Sequence, residues 1–376
     1  MNVTDAIDDF LAAQTAAVRS PHTVTAYRRD LTSIANILTQ QVGRSVQVAD
    51  LSVDELTAAF ATFLQPDPDE PPKAPSTMKR AWSSWHQLCA YLIGRNQLTS
   101  NFLDDVPKAR VRRPASPHYL TEQQMENMFT AVKDGQWRTP VPKKPWASRD
   151  LAILLVFYLE GLRVQELADL RFQSIVRDGT VLKVDGKGSK QRDLPLHALI
   201  PTYLEPYLRE RYTREHELLT VAPDRKKSAS AVQRDDHARE AIRKWRRSTQ
   251  LSPTPPAPVT AAWKATAPLF VSDTLITVKP HHLDQIVERA YAAGGIDPND
   301  YPGTHTHLLR HTFATLRSQN GASAPELQVL LGHESLDTTQ RYLGVQRSLA
   351  DVIDSAPGLT HLHNDTQQTT TPDTTQ

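Results

Sequence analysis

A single cysteine, Cys89, in 376 residues excludes an internal disulfide and any cluster of cysteine metal ligands. No run of about 18 apolar residues is present, which excludes a membrane-spanning helix. The opening MNVTDAIDDF is acidic and lacks the basic-then-apolar pattern of an export leader. Together these absences predict a cytosolic compartment in which DNA is accessible. A charge excess is missing too: 43 Lys and Arg oppose 42 Asp and Glu, for a formal net charge of +1. That balance argues mildly against a nucleic-acid binder, but the charge is segregated. No Asp or Glu lies between Pro71 and Leu103, whereas Lys73, Lys79, Arg80 and Arg95 do. Lys108, Arg110, Arg112 and Arg113 then crowd a proline-bounded stretch. Such local patches suit a phosphate backbone; a solvated basic face is the plain alternative.

The length allows two domains with separate cores. Small and apolar residues at helical spacing predict a helix over 4–18. A second begins at Ser20 and Pro21 and carries Val24, Tyr27, Leu31, Ile34 and Leu38 as its apolar stripe, with Arg28 and Arg29 beside it. Helices over 52–64 and 76–93 complete the unit; Trp82, Trp85, Leu88, Cys89 and Leu92 mark the inward side of the last. VPKARVRRPASPH, at 106–118, has no hydrophobic period and reads as an extended basic linker between domains.

Thr121, with Gln124 at the capping-box position, opens the second domain. SRDLAILLVFYLEGL reads as a buried helix ending near Gly161, and Arg163 begins a short helix just after it. VLKVDGKGSKQRDLPL reads as two strands around a tight turn, with Lys187 at the tip. A helix over 197–211 follows, and further helices are expected at about 280–293, 305–319 and 324–331. A short amphipathic helix is expected at 345–356, and the polar tail over 359–376 is expected to be disordered.

The densest chemistry lies in HTHLLRHTFATLRSQNGASAPELQVLLGHESLDTTQRY, residues 305–342. His307 and Arg310 are three residues apart on one helix and share a face. His333 follows Gly332, and Tyr342 comes nine residues later. Two imidazoles, a guanidinium and a phenol can thus converge, and Arg163 and Lys187 upstream supply the other cations that phosphate chemistry calls for. His305, His307 and His311 suggest a metal at first sight, but the zinc-helix pattern needs Glu where Leu308 stands, so no metal site is expected.

The segments HLLRHTFAT, LLGHESLDTTQRYL, GLRVQEL and GKGSKQRDLPL resemble those of the tyrosine recombinases, the phage-integrase and Xer-type site-specific recombinases. The order Arg, Lys, His-x-x-Arg, His, Tyr and the step from His333 to Tyr342 both match. The resemblance covers about residues 20 to 355. It implies a mainly α fold: an all-helical, SAM-like core-binding domain over 1–105, the linker at 106–118, and a mostly helical catalytic domain over 119–358 with a small antiparallel β-sheet. Residues 213–267 exceed what the family usually has here. They read either as an extra DNA- or partner-binding element or as a neutral surface loop.

By the same resemblance Tyr342 is the nucleophile that forms a 3′-phosphotyrosyl link. Arg163 and Arg310 clamp the non-bridging oxygens, Lys187 protonates the leaving 5′-oxygen, and His307 and His333 assist at the tyrosyl proton and the phosphate. Glu166, one turn from Arg163, is expected to orient an arginine or a histidine, while His311 has either a structural or a phosphate-adjacent role. Arg28, Arg29, Lys79, Arg80, Arg110, Arg112 and Arg113 are the candidate DNA contacts. The expected partner is double-stranded DNA with inverted half-sites, bound by a dimer that pairs into a tetramer and passes through a Holliday junction, with or without a second recombinase or accessory protein. No cofactor is expected. A type IB topoisomerase or telomere resolvase shares this chemistry, and an inactive DNA-binding relative shares the fold; the complete set of six residues argues against the latter.

Overall fold

The computed structural model describes residues 1–17, 21–64, 75–107, 119–135, 145–186, 191–221, 228–248, 252–297, 300–301, 305–332 and 359. Lys187, His333, Tyr342, Arg110, Arg112 and Arg113 lie outside the described residues, as do Ser20, the linker beyond position 107 and the expected helix at 345–356. The chain divides into two compact units, Met1–Ala115 and Ser116–Gln376.

The first unit is built from α1 (Val3–Ala16), α2 (Pro21–Val42), α3 (Val53–Leu64) and α4 (Pro75–Ile93). Asn2 caps α1 by accepting the Asp5 N–H at 2.8 Å. The apolar stripe of α2 buries Leu31, Ile34 and Leu38 against Phe10, Leu11, Leu56, Phe60, Trp85 and Leu88. A polar cluster links α2 and α4 across this core. Asp30 of α2 is buried and accepts Arg80 Nε and Nη2 of α4 at 2.7 and 2.8 Å. A buried carboxylate needs such a fork-shaped partner, so α2 and α4 are locked in register.

The second unit is organised around α6 (Ala147–Glu160), of which every residue from Arg149 to Glu160 is buried. A helix that is apolar all round belongs in the middle of its domain. α5 (Glu122–Lys133), α8 (Leu199–Thr220), α10 (Pro280–Ala293) and α11 (His305–Gln319) pack against it. α5 starts with the expected capping box, Thr121 and Gln124 satisfying each other's backbone N–H. α7 (Val164–Ala168) leads to a three-stranded antiparallel sheet in the order β1 (Ile175–Val176), β2 (Val181–Asp185), β3 (Gln191–Pro195). The β2–β3 register pairs Val184 with Arg192 and Leu182 with Leu194; the expected position of Lys187 between the two strands lies outside the described residues. α9 (Ala229–Trp245) and α12 (Ala324–Leu331) complete the unit. The fold is thus mainly helical with one small antiparallel sheet. Among the described residues, no helix is long and apolar enough to cross a membrane.

Two expectations about 197–267 need correction. The helix expected to stop near 211 continues to Thr220, and of the two readings of 213–267 the neutral surface loop does not hold. Ala238, Ile242, Val259 and Trp263 are buried in the main core of the unit. The reason is electrostatic as well as apolar. Glu215, fully buried, pairs with Arg211 at 2.6 Å and Arg246 at 3.0 Å, and accepts Trp263 Nε1 at 3.0 Å. One carboxylate thereby fastens α8, the end of α9 and the returning chain together. Arg246 is committed to this interior network, while its neighbours Arg243, Lys244 and Arg247 are exposed.

Candidate functional site

The site forms where three chain reversals meet. The first is the end of α6. Gly161 caps that helix in the left-handed conformation, at φ 58°, which glycine adopts without steric cost. It also has no room for a side chain: a Cβ there would lie 2.5 Å from Cδ1 of Phe313. The aromatic ring of α11 therefore rests directly on the Gly161 backbone. One turn earlier on α11, Arg310 Nη1 donates to the Gly161 carbonyl at 2.6 Å. Arg310 and Phe313 together dock α11 on this turn.

The second reversal begins α7. Arg163 is its N-cap residue, and Glu166 accepts the Arg163 backbone N–H at 2.8 Å. The same carboxylate accepts Arg163 Nη1 at 2.8 Å. The third reversal ends α12. That helix opens on a Ser323–Glu326 capping box and closes at Gly332, again left-handed at φ 60°. Its last carbonyls face the two arginines: Arg163 Nη2 donates to Gly332 O at 3.2 Å, and Arg310 Nη2 donates to Leu331 O. The turn that leads into His333 is therefore held by both guanidinium groups.

Glu166 is the common partner. Arg192 of β3 approaches it in fork geometry, Nη1 to Oε1 and Nη2 to Oε2, both at 2.9 Å. Arg310 Nη1 lies 3.8 Å from Oε2. Burial alone raises a carboxyl pKa. Here the Arg192 pairing, the Arg163 backbone N–H and the Arg310 charge outweigh it and hold Glu166 at about 2. Glu166 is thus an anion at any physiological pH. The expectation that it orients an arginine is met by geometry, since it contacts Arg163, Arg192 and Arg310 together.

Arg192 is the member that sequence reasoning passed over, although it stands inside GKGSKQRDLPL. A signal was available. Positions 192 and 194 share a face of β3, and Leu194 is buried. An arginine on an inward strand face requires an anion, and Glu166 was the carboxylate at hand.

His307 lies one turn before Arg310 on α11, and its ring meets the His311 ring edge-on, with centroids 4.5 Å apart. Partial burial, then the positive charges of Arg310 and Arg163, hold its pKa below the ordinary histidine value. It is biased toward the neutral form, the state able to accept a proton. Arg163 is open to solvent, with 41% of its side chain exposed, whereas Arg310 is 6% exposed and approaches the site from within. Among the described residues, no group of three His, Cys, Asp or Glu side chains is placed to hold a metal ion.

Of the basic candidates in the first unit, Arg28 pairs with Asp8 at 2.8 Å and both are exposed. Arg29 is exposed, 3.7 Å from Asp30, and Lys79 is exposed. Arg80 has the structural task described above, which the sequence reading did not assign to it.

Comparison with known proteins places this geometry in context. Residues 118–348 match the model of the phage integrase family, and residues 7–96 match that of the phage integrase N-terminal SAM-like domain. The chain is 30% identical over 338 residues to the tyrosine recombinase XerC of Myxococcus xanthus, covering 90% of this chain and 92% of that protein. A lambda integrase tetramer bound to a Holliday junction superposes with a TM-score of 0.57 at 15% identity, covering 91% of this chain and 77% of that one. XerH bound to its difH substrate in a pre-cleavage complex gives 0.56 at 16% identity, with 87% and 77% covered. The two structural likenesses establish a shared fold.

Proposed function

Since this chain belongs to the phage integrase family and is a site-specific DNA recombinase of the tyrosine class, we propose that Arg163, Lys187, His307, Arg310, His333 and Tyr342 are its catalytic set. The observation that carries the assignment is the placement of Arg163 and Arg310. Two guanidinium groups from separate helices are held side by side by Glu166 and by the carbonyls of Gly161, Leu331 and Gly332. Planar, permanently charged donors on rigid mounts match the charge that builds up on a phosphorane.

In the proposed reaction the Tyr342 oxygen attacks the scissile phosphorus and the bond to the 5′-oxygen breaks. A phenol with a pKa of about 10 is a poor nucleophile at neutral pH. Neutral His307 takes its proton, and the arginine pair lowers the barrier by stabilising the equatorial oxygens. Lys187 delivers a proton to the departing 5′-oxygen, and His333 donates to a non-bridging oxygen. A 3′-phosphotyrosyl ester replaces the phosphodiester. Because its bond energy is conserved, a 5′-hydroxyl from a second duplex can reverse the step without ATP. The same economy makes a metal unnecessary: guanidinium and ammonium groups supply the positive charge.

The proposed partner is duplex DNA with inverted half-sites, held by two protomers, with two such complexes pairing as a tetramer around a Holliday junction. A second recombinase or an accessory protein fits the same scheme. The proposed division of labour gives DNA binding to 1–105 and cleavage to 119–358. Arg28, Arg29 and Lys79 lie on the phosphates, Arg110, Arg112 and Arg113 follow the backbone, and Arg80 contributes through its exposed edge. The proposed setting is the cytoplasm, on nucleoid DNA.

The experiment is covalent capture. The tagged protein and its Tyr342→Phe variant are expressed in the native host, lysed in denaturing detergent, and any attached DNA is sequenced. Attachment that requires the tyrosine, at one or a few inverted repeats, is expected. Attachment by the phenylalanine variant would remove Tyr342 from its role. Tyrosine-dependent attachment spread across the genome would replace site-specific exchange by a topoisomerase-like activity.

A further inference from the structure

Arg192 has a position that none of the six proposed catalytic residues shares. It stands on β3, the strand that follows Lys187 in the sequence. Its guanidinium spans both oxygens of Glu166 at 2.9 Å, and Glu166 in turn holds Arg163 at 2.8 Å and lies 3.8 Å from Arg310. On another side it meets the α12 reversal: a Cβ at Gly332 would lie 3.0 Å from Arg192 Nη1 and 3.2 Å from its central carbon. Gly332 is also the residue whose carbonyl takes Arg163 Nη2. One side chain, 13% exposed, thus stands on β3, pairs with the carboxylate that holds Arg163 and neighbours the Gly332 end of α12. Its Nε is buried and finds no hydrogen-bond partner among the described residues. A guanidinium this buried is held by its ion pair with Glu166, and apolar packing does not account for it.

We propose that Arg192 is a positioning residue: acting through Glu166, it fixes the Arg163–Arg310 pair in the geometry that receives the phosphate and ties the β2–β3 hairpin to that pair. The inference rests on the catalytic reading above. Its physical content is a division of the Glu166 charge. With Arg192 in place, each carboxylate oxygen is already directed, Oε1 toward Arg163 and Oε2 toward Arg310. Without it, the carboxylate can rotate and take either catalytic arginine in a two-pronged pair, drawing donors away from the phosphate. Lysine does not substitute, since a single ammonium cannot hold both oxygens in one plane.

The test uses the full-length protein and a duplex carrying the sequence recovered with the Tyr342 adducts. Each variant is given that duplex with the natural scissile phosphate and with a methylphosphonate in its place. The methylphosphonate lacks the non-bridging charge that the arginine pair serves. Arg192→Gln and Arg192→Lys are expected to form the covalent adduct on the order of 100-fold more slowly on the natural phosphate, with duplex affinity within about threefold of wild type. On the methylphosphonate the difference from wild type is expected to shrink toward one, because the clamp has less to do. Equal slowing on both substrates, or slowing matched by loss of folded protein in both variants, would make Arg192 a purely structural residue and overturn the proposal. Wild-type rates in either variant would also overturn it. Failure of wild type itself to form any adduct would instead bring down the catalytic reading, and this inference with it.

Discussion

Arg211 and Glu215 stand one turn apart on α8, both with fully buried side chains, and are joined at 2.6 Å. Glu215 also holds Arg246 and Trp263, so a single interior anion compensates two interior guanidinium groups. Arg211 makes up the balance with the carbonyls of Pro268 and Leu269, at 2.8 and 3.2 Å, and its guanidinium lies over the Trp263 ring. Removing one partner of such a group leaves buried charge without an anion. Glu215→Gln is expected to lower unfolding free energy by roughly 3–5 kcal/mol. Urea titration followed by tryptophan fluorescence reads this directly. A loss under about 1 kcal/mol would mean that the segment 221–267 is not fastened through Glu215.

Gly161→Ala tests the docking of α11. The left-handed backbone costs a residue with a Cβ about 1 kcal/mol or more, and that Cβ would press on the Phe313 ring. The expected outcome is a stability loss of about 2–3 kcal/mol, together with a fall in covalent adduct far beyond the loss of folded protein, because the Gly161 carbonyl is an anchor of Arg310. Adding Phe313→Leu should recover part of the stability. Undiminished adduct in the single variant would show that Arg310 does not depend on this turn.

How much of this was readable beforehand differs between backbone and site. The helices of α10, α11 and α12 appear at Pro280–Ala293, His305–Gln319 and Ala324–Leu331, as periodicity and capping residues required. Thr121 with Gln124 marked the start of α5, and Gly161 the end of α6, by local chemistry that any sequence displays. The long-range pairs were another matter. Nothing near Glu215 in the sequence points to Arg246 or Trp263, and α8 runs past the expected end at about 211 to Thr220. Asp30 and Arg80 are fifty positions apart. A buried ion pair is legible only once packing has brought its members together, which is why Arg192 and Arg80 acquired their tasks from the structure.

Glu160 offers a pH prediction. It ends α6, completely buried, accepting the His197 backbone N–H at 3.0 Å on one oxygen, while the other finds no partner among the described residues. Burial pushes its pKa up to about 7; the His197 N–H and the charges of Arg317 and Arg192 offset this only in part. A carboxyl whose folded pKa is raised stabilises the fold fully below its unfolded value and loses that contribution as pH rises through the folded value. From the ordinary value of 4.5 to about 7, this amounts to ~3 kcal/mol. Glu160→Gln, which keeps the neutral form at every pH, should gain on wild type by that order between pH 5 and pH 8. Urea unfolding at unit pH steps compares the two. Parallel curves would show that Glu160 does not titrate in this range.

His307 titrates in the opposite sense. Burial and the charges of Arg310 and Arg163 hold its pKa below the ordinary histidine value, so the ring stays neutral through the range in which an exposed histidine takes up its proton. If neutral His307 accepts the Tyr342 proton, adduct formation should hold its rate as pH falls to the usual histidine pKa and drop only below it. Imidazole NMR signals give the titration itself, with His307→Gln identifying the resonance. Arg163→Gln removes one of the neighbouring charges and should move the His307 midpoint upward. A His307 midpoint that does not respond to Arg163 would separate the two residues electrostatically, and with them the proton acceptor from the phosphate clamp.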